Sequence, residues 1–283
     1  MDKFKEPAWR KMPVSWQKDR DFQERIRAAR QGDAIAALKL YIAICLKAEF
    51  HETDRLPAGS AQLSLTSLTE LVDLSKPMVI AGLKLLAEWN IVVSDGGRPA
   101  ILRIVEYADS KYWVKIPMRQ LYGSKNEARV QTLIHLPNRR RGTLHALQLY
   151  LYLASIRDKN SNMATLSYEQ GMRTLGISRN YFSSALSMLT VDLVTVRTAL
   201  EVKNLTGQNF SANQYWLRGS HRDPFRPSPA DTDAHEVDNW QADLYDEEDD
   251  DRDSVIQRFR RPEPVTLSEL RRQQRTISSF DDD

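Results

Sequence analysis

Apolar and polar positions follow the same order twice along this chain. The stretch from Leu63 to Val93 recurs as the stretch from Leu166 to Val196, with apolar residues matching apolar residues. A serine followed by a cation occurs at the same place in both, as Ser75-Lys76 and as Ser178-Arg179. A repeat of this length indicates two copies of one small structural unit, the first repeat and the second repeat.

In the second repeat, the pattern predicts two short helices around a tight turn. Ser167 and Gln170 are spaced as in a capping box, and Gly176 tolerates the left-handed backbone that ends a helix. Ser178 is suited to start the next helix. The inward positions of that helix recur at spacings of three and four, at Phe182, Ala185, Leu186 and Leu189.

The first repeat has equivalent signals built from other residues. Ser67 with Glu70 predicts a capping box, and a turn is expected near Asp73. Ser75 is the second cap, and Pro77 falls in the first turn of the helix that follows. A helix-turn-helix is therefore predicted in each repeat.

A strand-forming run follows each helix-turn-helix. In the first repeat, the glycines of Asp95 to Pro99 separate Ile91 to Val93 from Ile101 to Val105, which predicts a hairpin. In the second repeat, Val194 to Arg197 precedes further short apolar runs that end at Tyr215 to Leu217. Long apolar helices are expected upstream of each repeat, at Ala34 to Ala48 and at Thr143 to Ile156.

A helix, a helix-turn-helix and a hairpin in this order predict a winged helix. The expected fold class is mainly α with small β-hairpins (α+β), comprising two tandem winged helix-turn-helix domains plus a disordered acidic C-terminal tail. The length of 283 residues suits about two domains. The expected boundaries are a basic N-terminal arm or helix at 1–32, a first winged-helix domain at 33–110, a linker with a basic run at 111–142, a second winged-helix domain at 143–219 and the tail at 220–283.

The charge of the chain is divided unevenly. Residues 223–283 hold 8 lysines and arginines and 18 acids, a net charge of −10, whereas residues 1–222 hold 32 and 20, a net charge of +12. A basic body favours a polyanionic partner, because cations that contact phosphates release condensed counterions. Nucleic acid, in particular double-stranded DNA, is therefore the expected partner, unless the excess lysines and arginines only solvate the surface.

The acidic tail has two interpretations. Residues 231–251 hold 11 acids and no lysine or arginine, a composition typical of disorder. This run either competes with DNA for the basic body or only keeps the protein soluble. Beyond it, Leu267, Leu270 and Phe280 indicate a peptide that binds a partner protein, unless the terminus simply frays.

The helix after Ser178 is the expected DNA-reading element, because the second helix of a helix-turn-helix enters the major groove. Arginine pairs with guanine and asparagine with adenine, whereas serines allow close approach to the backbone. The alternative is an ordinary solvent-exposed face. The outward residues expected to contact DNA are Arg179, Asn180, Ser183, Ser184 and Ser187, with Tyr181 at the edge.

The first repeat is less suited to reading bases. Its outward Lys76 and Lys84 suit phosphate contacts, and Arg98 on the hairpin suits a phosphate or the minor groove. Met78 and Ile80 are expected to be exposed, which suits a protein interface such as a homodimer formed through this repeat.

Further cations lie outside the two helix-turn-helix segments. Arg139, Arg140 and Arg141 either clamp a phosphate or form a cationic linker. Lys203, in the second hairpin, is also expected to contact DNA. The basic leading segment either reaches DNA as an arm or packs Trp9 and Trp16 onto the body.

No motif indicates catalysis. The chain has no phosphate-binding loop, no dinucleotide fingerprint and no HExxH motif, and its five histidines are scattered. We therefore expect neither an enzyme nor a cofactor. The single cysteine, Cys45, falls in an apolar helix and is expected to be a buried filler. Without a long apolar run or a signal peptide, a cytoplasmic protein is expected.

Two winged helices in one chain, a basic body and a last strand of Asn213 to Leu217 resemble the replication initiators of plasmids, phages and integrative elements. The resemblance covers about Asp33 to Arg218 as a fold pattern. It implies binding to repeated origin sites and recruitment of a replicative helicase or its loader by the tail. The alternative is a transcription regulator or partition adaptor of a mobile element, which would bind one operator as a homodimer.

Overall fold

The computed structural model describes residues 9–19, 21–123, 129–158, 161–197, 201–203 and 209–219. These residues form a mixed α+β fold of helices and small antiparallel sheets. The helices are α1 (Phe22–Ala28), α2 (Gln31–Lys47), α3 (Leu65–Val72), α4 (Lys76–Glu88), α5 (Met118–Tyr122), α6 (Gln131–Ile134), α7 (Arg141–Ile156), α8 (Tyr168–Leu175) and α9 (Arg179–Asp192). The strands are β1 (Trp9–Pro13), β2 (Ser60–Leu63), β3 (Val92–Ser94), β4 (Ala100–Ile104), β5 (Trp113–Pro117), β6 (Met163–Leu166), β7 (Val194–Arg197), β8 (Glu201–Lys203), β9 (Asn209–Ser211) and β10 (Asn213–Leu217).

Both repeats have the same order of elements. The first repeat runs α2, β2, α3, α4, β3 and β4, and its antiparallel sheet has the strand order β2-β4-β3. The second repeat runs α7, β6, α8, α9, β7 and β10, and its sheet has the equivalent order β6-β10-β7. Strands β2 and β6, which the sequence pattern does not predict, each add a third strand to a hairpin. A further pair, β8 and β9, lies between β7 and β10 in the chain.

The helix ends follow the local sequence, with one correction. The hydroxyl of Ser167 accepts a hydrogen bond from the Gln170 backbone N–H at 3.1 Å, and Gly176 ends α8 with a φ of 63°. In the first repeat, the predicted capping box of Ser67 and Glu70 is wrong. Helix α3 begins after Ser64, whose hydroxyl accepts from the Ser67 backbone N–H at 2.9 Å, because Ser67 already lies within the first turn.

Helix α2 lies at the centre of the packing. Every residue from Ala34 to Leu46 is buried, because α2 packs against α4 on one side and against α7 on another. A Cβ on Gly82 of α4 would come within 2.9 Å of the α2 backbone, so the absence of a side chain permits this close approach. Helix α7 in turn packs against α9. The two repeats therefore share one apolar core rather than forming separate bodies joined by a free linker.

The segments expected to be an arm and a linker contribute ordered elements. Strand β1 pairs antiparallel with β5, and Met12 lies opposite Val114 on the buried face of this two-stranded sheet. Helices α5 and α6 follow β5 within the stretch 111–142. Trp16 packs onto the core, where its ring centroid lies 4.6 Å from that of Phe22. A strand of five residues whose partner lies far along the chain gives little local signal in the sequence.

Candidate nucleic-acid interface

Helix α9 places the predicted DNA-contacting residues on one open face. Its inward residues are buried, as the spacing predicts, at Phe182, Ala185, Leu186 and Leu189. The opposite side chains are exposed at Arg179, Asn180, Ser183, Ser184 and Ser187. This outward face of α9 therefore combines hydrogen-bonding groups with a packed inner face that fixes their direction.

The first turn of α9 is open and flanked by a cation. Ser178 precedes the helix with extended backbone, and its hydroxyl makes no capping hydrogen bond. The Arg27 guanidinium lies directly against Gly176, where a Cβ would overlap it. Backbone N–H groups at a helix start carry the positive end of the helix dipole and suit an anion. Arg27 adds a formal charge at this end, and the sequence pattern had no means of placing it there.

Arg141 borders the same face. Its guanidinium carbon lies 5.2 Å from the ring centroid of Tyr181, within the range of a cation–π contact. The Tyr181 ring lies 5.2 Å from the ring of His145, whose Nδ1 is 3.1 Å from Gln148 Oε1. Burial lowers the pKa of His145; the hydrogen bond with Gln148 acts in the opposite direction, and the nearby Arg141 adds to the lowering. The lowered pKa favours the neutral imidazole, so the positive charge beside Tyr181 comes from Arg141.

The other two arginines of the basic run lie just before α7. Arg140 precedes the helix with extended backbone, and both Arg139 and Arg140 are exposed. The backbone carbonyl of Arg139 accepts a hydrogen bond from Gln31 Nε2 at 2.8 Å, which ties this segment to the start of α2. The run is therefore anchored by its backbone and presents cationic side chains to solvent.

The far end of α9 is held by residues that the sequence pattern did not identify. Arg218 donates from Nη1 to the Val191 carbonyl at 2.8 Å and from Nη2 to the Thr190 carbonyl at 3.0 Å. Gln120 Nε2 donates to the Asp192 carbonyl at 2.6 Å. These bonds satisfy carbonyls that a helix end leaves unpaired. They fix the orientation of α9 without occupying its outward face.

The first repeat presents fewer polar groups on its equivalent helix. Lys76 and Lys84 are exposed, and Lys84 Nζ lies 3.7 Å from Glu88 Oε1, one turn later in the helix. Ile80 is 54% exposed, but Met78 is half-buried against the core, so the expectation of an exposed methionine is wrong. Arg98 is exposed between β3 and β4.

Other predicted residues lie beyond what the structure describes. The backbone of Lys203 lies in β8, but its side chain is outside the described part. The proposed partner-binding residues Leu267, Leu270 and Phe280, and the acidic run at 231–251, are also outside it.

The described residues show no sign of a membrane span or of a metal cluster. No described helix combines the length and apolar character that crossing a membrane requires. In the same part of the chain, no three side chains of His, Cys, Asp or Glu are grouped to hold a metal ion. Comparisons of the chain with protein-family models, with curated proteins and with solved structures found no match.

Proposed function

We propose that the chain binds double-stranded DNA in a sequence-specific manner through the outward face of α9. The observation that carries this proposal is the exposure of Arg179 and Asn180 at the start of a helix whose opposite face is packed on α7. These two residue types form paired hydrogen bonds with guanine and adenine edges in the major groove. The three exposed serines are small enough to let the helix approach the groove closely.

The electrostatic surroundings of α9 support the same partner. Arg27 lies at the turn before the helix, and Arg141 lies over Tyr181 at its side. No acidic residue occurs from Arg179 to Val191. Phosphates flanking a major groove would therefore meet cations from two different elements, α1 and α7, and such contacts position a reading helix on the duplex.

The repeated topology supports a tandem winged-helix interpretation. Each repeat adds a hairpin and a third strand to a pair of helices around a tight turn, the composition of a winged helix. Because α2 packs on α7, the two repeats are fixed relative to each other. Lys76, Lys84 and Arg98 of the first repeat suit phosphate contacts, which leaves base reading to the second repeat.

The biological setting we propose is the replication of a mobile element. The resemblance to replication initiators makes repeated origin sequences the first sites to test, and a helicase or its loader the partner to test with the tail. A regulator that binds a single operator is the second candidate. Both settings require sequence-specific duplex binding.

Selection of bound duplexes from a random library tests the proposal. The full chain is expected to enrich one sequence motif, because Arg179 and Asn180 discriminate between base edges. A variant carrying Arg179→Ala and Asn180→Ala is expected to retain duplex binding at low salt through phosphate contacts but to enrich no motif. Failure of the unaltered chain to enrich any motif would contradict sequence-specific binding.

A further inference from the structure

A second surface rich in aromatic and basic side chains lies on the outer face of the β1–β5 sheet. Trp9 and Lys11 of β1 and Trp113 and Lys115 of β5 share this face, because Lys11 pairs with Lys115 in the antiparallel register. Met12, Val114 and Ile116 point to the opposite face and are buried. Because successive side chains of a strand point to opposite faces, the burial of these three residues directs Trp9, Lys11, Trp113 and Lys115 to the outer face.

The aromatic rings on this face are partly open to solvent. Trp113 is 39% exposed, and Phe50, which contacts Trp9 edge to face, is 38% exposed. The rings of Trp9 and Trp113 are nearly parallel, with an interplanar angle of 20° and centroids 6.1 Å apart. We name the three side chains Trp9, Phe50 and Trp113 the aromatic platform. Rings of the platform therefore stay partly exposed, although folding ordinarily buries much of an aromatic side chain.

Lysines are interleaved with the aromatic platform. Lys115 Nζ lies 4.6 Å from the ring centroid of Trp9, and Lys11 Nζ lies 5.5 Å from that of Trp113. Asp109 interacts with Lys11 and offsets part of this charge. Lys11 and Lys115 face each other directly across the two strands, where like charges are unfavourable.

We infer that the aromatic platform binds single-stranded nucleic acid, with bases stacked on its rings and phosphates beside Lys11 and Lys115. Exposed aromatic rings interleaved with cations are the two elements of single-strand binding, since every base offers a face for stacking and every nucleotide carries a phosphate. A duplex keeps its bases stacked inside and cannot use the rings. This site lies on elements other than α9 and its chemistry does not depend on the proposed duplex reading.

Single-stranded DNA and RNA share this chemistry, so the experiment uses both. Fluorescein-labelled dT20 and rU20 are titrated with the full chain, and intrinsic tryptophan fluorescence is recorded in parallel. We expect both oligonucleotides to bind and to quench the tryptophan signal, because stacking does not require a 2′-hydroxyl. A preference for rU20 would assign the site to RNA, and a preference for dT20 would assign it to DNA. Either result supports binding of single-stranded nucleic acid.

Three variants define the site. Trp113→Ala is expected to weaken binding of the oligonucleotides by about 5- to 100-fold, whereas Trp113→Phe, which keeps a ring, retains most of the affinity. Lys115→Ala is expected to reduce the slope of log affinity against log salt concentration by about 0.7, because one phosphate contact is lost. Arg103→Ala, which removes an exposed cation of β4, is the control and should leave oligonucleotide binding unchanged.

Measuring duplex affinity in the same variants distinguishes this site from the duplex-binding site proposed on α9. Trp113→Ala should not alter duplex affinity, and Arg179→Ala should not alter oligonucleotide affinity. Oligonucleotide binding that survives Trp113→Ala in a folded protein, or that is lost in Arg179→Ala instead, would overturn the inference. Binding to vesicles containing phosphatidylserine in place of the oligonucleotides would overturn it as well. None of these outcomes depends on whether the duplex is read in a sequence-specific manner.

Discussion

Replacing Arg179 by alanine is expected to weaken binding to the selected duplex by about 5- to 150-fold, the loss of one paired contact to a base edge. Arg179 is the first residue of α9, where the side chains of a reading helix reach the bases. The variant should also accept more than one base at a single position of the motif. Its affinity for random duplex should fall much less, because the cations Arg27 and Arg141 remain in place.

Lys84→Ala is the matched comparison for that variant. Lys84 is exposed on the equivalent helix of the first repeat, where we propose a phosphate contact. Removing Lys84 should weaken binding to selected and random duplexes alike. It should also reduce the slope of log affinity against log salt concentration by about one. Equal effects of Arg179→Ala and Lys84→Ala on both kinds of duplex would contradict the assignment of base reading to α9.

The second large effect concerns stability and comes from a buried lysine that the sequence pattern did not single out. Lys39 lies in the middle of α2 and is fully buried. Its Nζ donates to the Leu136 carbonyl and to Asn138 Oδ1, each at 2.6 Å. Asn138 in turn donates to the Asp73 carbonyl at 3.2 Å. Lys39 thereby ties α2 to the segment that leads into the basic run before α7.

Burial lowers the pKa of Lys39 to about 8, with Asp73 acting in the opposite direction. In the unfolded chain the amine keeps its proton until near its ordinary pKa of 10.5. Between these two values the unfolded state binds more protons than the folded state, so the free energy of unfolding rises with pH. Relative to Lys39→Met, the unaltered protein should gain about 2 to 3 kcal/mol between pH 7 and pH 10.

Urea unfolding of both proteins across that pH range measures this gain. Lys39→Met removes only the titrating amine. The buried tyrosines, whose pKa values burial raises, are present in both proteins, so their contribution cancels in the difference between the two curves. Lys84→Met, which removes an exposed lysine, should follow the unaltered protein at every pH. Parallel curves for Lys39→Met and the unaltered protein would show that the amine keeps its ordinary pKa in the folded state.

The parts of the fold that the sequence predicts depend on neighbouring residues. Gly176 adopts the left-handed backbone that ends a helix, and Asp73 does the same at the equivalent place, with a φ of 52°. The spacing of Phe182, Ala185, Leu186 and Leu189 fixes which side of α9 is buried. From this follows the exposure of Arg179 and Asn180.

The parts that the sequence does not predict depend on contacts between distant residues. Strand β1 pairs with β5, Arg27 packs on Gly176, and Arg218 binds the last turn of α9. No periodicity in the neighbouring sequence indicates these contacts, because they form only when distant parts of the chain pack together. The aromatic platform has the same origin, since Trp9 and Trp113 meet only after β1 pairs with β5.

In the complex that we propose, the outward face of α9 lies in the major groove of a duplex. Cys45 is fully buried, and burial raises the pKa of its thiol well above the ordinary value, so Ser183→Cys introduces the one reactive thiol of the described residues. This thiol carries an azidophenacyl group for photo-crosslinking. The control is Asp54→Cys, an exposed position in the loop between α2 and β2.

Crosslinking of these two labelled proteins to the selected duplex is the most direct test. We expect crosslinks from position 183 to bases at one place in the motif, with little crosslinking from position 54 or from the unaltered protein treated in the same way. A bound duplex that forms no crosslink from position 183, or forms as many from position 54, would contradict it.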